Sequence, residues 1–98
     1  MTWQIVWRPA ARADRAAIMD TIAQDNPIAA LEMDELIEDK THALADHPRR
    51  YKPGRMCGTR EMVIHPNYIV VYQEDGKTGI VTILRVLHAA RQWPPVKS

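Results

Sequence analysis

Four histidines, His42, His47, His65 and His88, and an arginine-rich C-terminal half carry most of the reactive chemistry in this 98-residue chain. The histidines show no i, i+4 pairing and no cysteine set stands near them, so their spacing spells no metal site. Cys57 is the only cysteine, which rules out an intramolecular disulfide; it reads as a small, partly buried apolar side chain. A glycine-rich phosphate loop is also missing, because the KPGR run at 52–55 does not supply one. What remains is a convergence of Arg60, His65, Arg85, His88 and Arg91 on or just after one small predicted sheet, with Lys52 on a preceding loop. Cleavage of RNA by its own 2′-hydroxyl needs one group to take a proton, one to give a proton, and cations to stabilise the transition state. Two histidines and several arginines can in principle fill those roles, but nothing in the spacing demands it.

The elements that position these residues follow from local pattern. WQIVW, Trp3 to Trp7, alternates and is short, as a first strand should be. Pro9 ends it and suits the first turn of a helix, and ARADRAAIMDTIA continues with an apolar stripe through Ala10, Ala13/Asp14, Ala17/Ile18 and Ile22. Helix one is expected from Pro9 to Gln24. Asp25-Asn26-Pro27 is a break and restart, with Asp25 or Asn26 as N-cap, and helix two runs to about Ala45 with Ile28, Met33, Leu36/Ile37, Lys40 and Leu44 as its inner face. His47-Pro48 stops it. After the loop RRYKPGR come three strands, Arg60 to His65, Tyr68 to Glu74 and Ile80 to Leu87, joined by short turns that make them antiparallel neighbours. The last two are apolar on both faces and are expected at the sheet centre. The resulting fold class is α+β, with an N-terminal strand and a helical hairpin packed on an antiparallel meander. Arg85, in mid-strand, requires an anionic partner or solvent, and a helix-two carboxylate such as Glu35 or Asp39 is the expected partner.

Size and charge set limits. A hydrophobic content of 46% in 98 residues supports one small domain, residues 1–98, whose core is modest enough for a partner to add much stability. No apolar run approaches the roughly 20 residues of a membrane span, and the N-terminus lacks the apolar stretch of a secretory signal, so a soluble cytoplasmic protein is expected. The net charge of +1 hides a division: residues 1–48 hold four Lys/Arg and nine Asp/Glu, whereas residues 49–98 hold nine and three. The acidic Glu32, Asp34, Glu35, Glu38, Asp39 cluster reads as a solvated helix face. Clustered cations in the second half raise the local potential and draw phosphate or carboxylate partners.

The run GTREMVIHPNYIVVYQEDGKTGIVTILRVLHAARQWPP, together with the Pro-Ala-Ala-Arg-Ala-Asp helix start, resembles the RelE/ParE superfamily of toxins from bacterial toxin–antitoxin pairs. ILRVLHAARQWP is closest to the ParE branch. The resemblance implies a toxin held inactive by a cognate antitoxin whose C-terminal segment wraps around it, with either ribosome-bound messenger RNA (RelE-like nucleases) or DNA gyrase (ParE-like members) as target. In RelE-like nucleases an arginine usually follows the glycine-tyrosine pair opening the Tyr68-type strand; here Ile69 stands in its place, so a catalytic cation is missing. Leu87-His88-Ala89-Ala90-Arg91 is similar to the ParE-like leucine-histidine-glycine-arginine form, with a departure at Ala89. The implied activity is gyrase inhibition by protein contact, without cofactor or metal. The alternative is an mRNA endoribonuclease acting through Arg60, His65, His88 and Arg91. A third possibility is a non-toxic binding module within an operon-repressing complex, where any DNA contact would come through the antitoxin. Antitoxin contacts are expected at Lys52, Arg55, Arg60, Arg85 and Arg91, and target contacts at Arg12, Arg15, Arg91 and Trp93.

Overall fold

The fold was obtained as a computed structural model, which describes residues 2–90 and 93–94. Its elements follow the order β1 (Gln4–Trp7), α1 (Pro9–Asp25), α2 (Pro27–Ala43), β2 (Arg60–His65), β3 (Tyr68–Asp75) and β4 (Ile80–His88). The expected α+β architecture is the one observed. The four strands form a single mixed sheet in the order β1-β4-β3-β2, so β3 and β4 occupy the centre, as their two-sided apolar pattern requires. β1 lies parallel to β4, from Gln4↔Ile80 to Trp7↔Ile83, while β2, β3 and β4 form the antiparallel meander.

Local chemistry accounts for the helix pair. Pro9 and Pro27 each stand at the start of a helix, where the missing N–H costs nothing. Asn26 joins the two: its backbone N–H closes α1 on the Ile22 carbonyl, and its side chain accepts the Ala29 N–H at 3.1 Å to open α2. The hairpin lies on one face of the sheet, α1 against β4 and α2 towards β2. Met33, Ile37 and Leu44 meet Met62, Ile64, Val70, Tyr72, Val81, Ile83 and Val86 in the core, and α1 closes it with Ala11, Ile18, Met19 and Ile22. The inner face of α2 differs from the sequence expectation: Ala30, Met33, Ile37 and Thr41 are buried, while Ile28 is 68% exposed. Thr41 is tolerated inside because its hydroxyl donates to the Ile37 carbonyl at 2.7 Å.

Two irregularities govern the site. β1 ends opposite Ile83, which leaves the edge of β4 beyond that point without a strand neighbour among the described residues. The β3–β4 register also shifts between Val71 and Tyr72, so that Tyr72 pairs with Ile83 but Val71 pairs with Arg85, leaving Leu84 as the extra residue of a bulge. The turn before β4 ends in Gly79 at φ +71°, a conformation that favours glycine.

Candidate functional site

The strand register gathers the sequence-predicted residues into two separate groups. Residues paired across a sheet share a face. The pairs Glu61↔Val71 and Val71↔Arg85 make one row across three strands, and Val63↔Ile69 and Ile69↔Leu87 make the next. Val71 and Leu87 are buried but stand outside the main core cluster, which places these rows on the face away from the helices. Ile69 therefore lies mid-row between Val63, 59% exposed, and Leu87. Where a nuclease of the superfamily would present a cation, this sheet presents an apolar strip.

The arginines around the sheet are held by carboxylates, Arg85 and Arg55 beside that strip and Arg60 on the helix side, opposite the core residue Tyr72. Arg85 does not pair with helix two as expected; its Nε and Nη2 donate to the two oxygens of Asp14 on α1, at 2.7 and 2.9 Å. The same Asp14 accepts the backbone N–H of Val86 at 3.0 Å, filling the open edge of β4. A fork-to-carboxylate pair of this kind is strong and geometrically specific. It raises the Arg85 guanidinium further above its usual range, against the opposing effect of burial. The Trp93 ring also meets Arg85, its centre 5.7 Å from the guanidinium carbon.

Arg55 donates from its backbone N–H and from Nε to the buried Glu61 carboxylate, at 2.8 and 3.2 Å. Burial alone would raise Glu61, but these donors, with Lys52 nearby, hold it below the usual carboxylate value of 4.5. The loop approaches closely here because residue 54 is glycine, where a Cβ would stand 2.6 Å from Thr59 Oγ1 and 3.1 Å from Glu61 Cγ. Arg60 donates to the Tyr51 carbonyl at 2.7 Å and forms an ion pair with Glu74, which also takes Arg49. Lys52 is exposed.

The histidines form the second group. The rings of His65 and His88 flank Tyr68, at centroid distances of 5.9 and 5.4 Å, the latter edge-on. Each closes a local turn: His65 Nδ1 accepts the Asn67 N–H at 3.0 Å and His88 Nδ1 accepts the Ala90 N–H at 3.1 Å. An imidazole that accepts at Nδ1 carries its neutral-form proton on Nε2. Arg60 stands at the opposite end of β2 from His65, about 16 Å away at 3.3 Å per residue, so these two proposed catalytic residues are not brought together. Arg91 lies outside the described residues.

Of the expected target-contacting residues, Arg12 is exposed on α1, whereas Arg15 is an internal tie. It donates to Asp34 at 2.8 Å and Glu38 at 2.9 Å on α2 and stacks over Trp7, with its guanidinium carbon 5.2 Å from the ring centre. Burial would lower its guanidinium, but the two carboxylates carry it above its usual value. The sequence reading passed over Asp14, Glu61 and Glu74, the carboxylates that organise the site. Asp14 left a signal, since an acidic residue in an otherwise apolar helix stripe calls for a buried partner.

A helical hairpin on one face of a four-stranded mixed sheet is the fold of the RelE/ParE toxins. The P. aeruginosa chromosomal ParDE toxin–antitoxin structure contains a chain that superposes with a TM-score of 0.76 at 22% identity, over 89% of this chain and 96% of that one. The intact E. coli RelBE toxin–antitoxin complex gives 0.66 at 17%, over 91% and 99%. In sequence, the family described as the ParE toxin of type II toxin–antitoxin systems, parDE, matches residues 5–93, and the chain belongs to that family. Toxin RelE2 of Caulobacter vibrioides is 39% identical over 90 residues, spanning 90% of this chain and 97% of that protein.

Proposed function

We propose that this toxin inhibits DNA gyrase by protein–protein contact and performs no chemistry itself, and that a cognate antitoxin neutralises it. The observation that carries this reading is the state of the cations around the sheet. Arg55, Arg60 and Arg85 are each engaged by an internal carboxylate, Glu61, Glu74 and Asp14. Transition-state stabilisation at a phosphoryl group needs positive charge directed at the substrate, and these guanidinium groups are directed at their own fold. The apolar Val63–Ile69–Leu87 row suits the anchors of a protein segment, and exposed Lys52 with the half-exposed Arg55 is left at its edge for acidic residues. We place the antitoxin there.

The alternative, an mRNA endoribonuclease, draws on the name of the Caulobacter relative and on the paired histidines. One experiment separates the two. The chain is induced without antitoxin, and labelled thymidine and labelled methionine incorporation are followed in the first minutes, for the wild type and for His65→Gln/His88→Gln. The expected result is an early fall in DNA synthesis, inhibition of purified gyrase, and unchanged potency in the double variant. A first fall in methionine incorporation that the double variant abolishes would replace the gyrase reading with the nuclease.

A further inference from the structure

The outer surface of the helical hairpin is chemically unlike the sheet face. Ile28 and Leu31, one turn apart near the start of α2, are 68% and 66% exposed, although each is a residue that ordinarily seeks the core. A groove of about 450 Å³ runs between the helices on one side of this ridge, with Met19, Ala23, Pro27 and Leu31 as walls and Asp20 and Asp34 at its rim. A second cavity, about 500 Å³, opens between the helices and the sheet on the other side, with Ile22, Met33, Leu36 and Tyr68 as its apolar lining and Glu32, His65 and Asn67 as its polar groups. An apolar ridge between an apolar groove and a mixed one is a shape that accepts an amphipathic helix or a segment with anchors at helical spacing.

Charge states what kind of segment. From Ala16 through Asp39 the chain has seven carboxylates and no Lys, Arg or His. Arg15 neutralises Asp34 and Glu38 from the side, but Asp20, Glu32 and Glu35 are exposed around the ridge, Glu32 and Glu35 each four residues after its two apolar members. Like charge opposes two copies meeting through this face about a two-fold axis, since acidic rim would meet acidic rim. Docking the acidic hairpin of one copy on the basic sheet of another would be a head-to-tail contact that does not close on itself. An acidic antitoxin segment suited to the basic sheet face is likewise repelled here. A segment that combines large apolar anchors with lysine or arginine meets both requirements.

We infer that the outer face of the hairpin, centred on Ile28 and Leu31 and ringed by Asp20, Glu32 and Glu35, is the surface that grips the toxin's target through a basic, amphipathic segment of that target. The inference rests on the reading that the toxin acts by protein contact, and it moves the contact from Arg15, which the fold consumes, to helix two. Toxin and antitoxin then meet on the sheet, and toxin and target meet on the helices.

The test uses the full chain as Ile28→Glu/Leu31→Glu and, separately, as Glu32→Lys/Glu35→Lys, with Ile28→Val/Leu31→Met as the conservative control. All six substitutions fall on side chains outside the core, and undiminished antitoxin binding certifies the fold. Growth arrest on induction and inhibition of purified gyrase are both read. The first two variants should lose growth arrest and require at least about tenfold more protein to inhibit gyrase, with the control close to wild type. Growth arrest that survives Ile28→Glu/Leu31→Glu overturns the inference. So does a parallel loss of antitoxin affinity, which would make the antitoxin the occupant, or wild-type self-association that these substitutions abolish. If wild-type protein leaves gyrase untouched while the substitutions still abolish growth arrest, the hairpin contact stands and the gyrase assignment falls.

Discussion

Glu61 illustrates how a single side chain ties a loop to the sheet. Its carboxylate accepts the Arg55 backbone N–H and the Arg55 side chain from a nearly buried position, which lowers its pKa relative to the unfolded chain. A carboxylate depressed in the folded state stabilises the fold above its unfolded value, near 4.5, and that contribution is lost as pH falls through the folded value. Glu61→Gln should therefore lower the urea midpoint at neutral pH, and the gap from wild type should close as the solution is acidified below the carboxylate range. Parallel midpoint curves down to the lowest pH would show that Glu61 titrates alike in the folded and unfolded chain, so that its contacts with Arg55 do not depress it. Tyr72 is a different case of the same accounting. Its hydroxyl is buried and donates to the Pro48 carbonyl at 2.6 Å, and burial pushes its pKa up to about 12, so it remains neutral and acts as a strut under the loop that follows helix two.

At the scale of elements, the consequential feature is the short reach of β1. Because it pairs with β4 only as far as Ile83, the next stretch of β4 needs another source of acceptors, and α1 supplies one in Asp14. The residue thus joins helix to strand by three hydrogen bonds, two from Arg85 and one from Val86. Asp14→Ala should cost about 2–4 kcal/mol, as expected when a charged acceptor is removed and its donors are left partly buried. A cycle with Arg85→Ala should reveal a coupling of about 1–3 kcal/mol between contacting residues. Additive losses in chemical denaturation would mean that the pair does not interact in solution. The same element logic explains Ile28: Asn26 and Pro27 set the phase at which α2 starts, and that phase turns Ala30, Met33 and Ile37 inward and leaves Ile28 and Leu31 outside.

For the whole molecule, the division between an acidic first half and a basic second half becomes a division between two faces. The acidic residues are concentrated in the helical hairpin and the basic ones around the sheet and its loops, so one small domain offers two surfaces of opposite preference. Antitoxin binding to the basic side should weaken as salt rises, and Lys52→Glu, at an exposed position, should weaken it about three- to tenfold at low salt while flattening that dependence. Isothermal titration at two ionic strengths checks this; an affinity indifferent to both salt and Lys52 would place the antitoxin elsewhere. Among the described residues no helix is long and apolar enough to cross a membrane.

The order of elements, their limits to within a residue or two and the central place of β3 and β4 were legible in the sequence, because periodicity, proline position and turn composition are local properties of the chain. Family membership was legible for the same reason, carried by short motifs such as Leu87-His88 and the Pro9 helix start. Which side chains meet was not. Asp14 and Val86 are 72 positions apart, and their meeting depends on where β1 stops; Arg85 faces Val71 only because a bulge shifts the register by one residue. Those are consequences of packing two helices on a twisted sheet, and no window of local sequence contains them. Tertiary structure alone decided that the two histidines flank Tyr68 and accept turn N–H groups, that Arg55, Arg60 and Arg85 are internally paired, and that the acidic helices expose an apolar ridge.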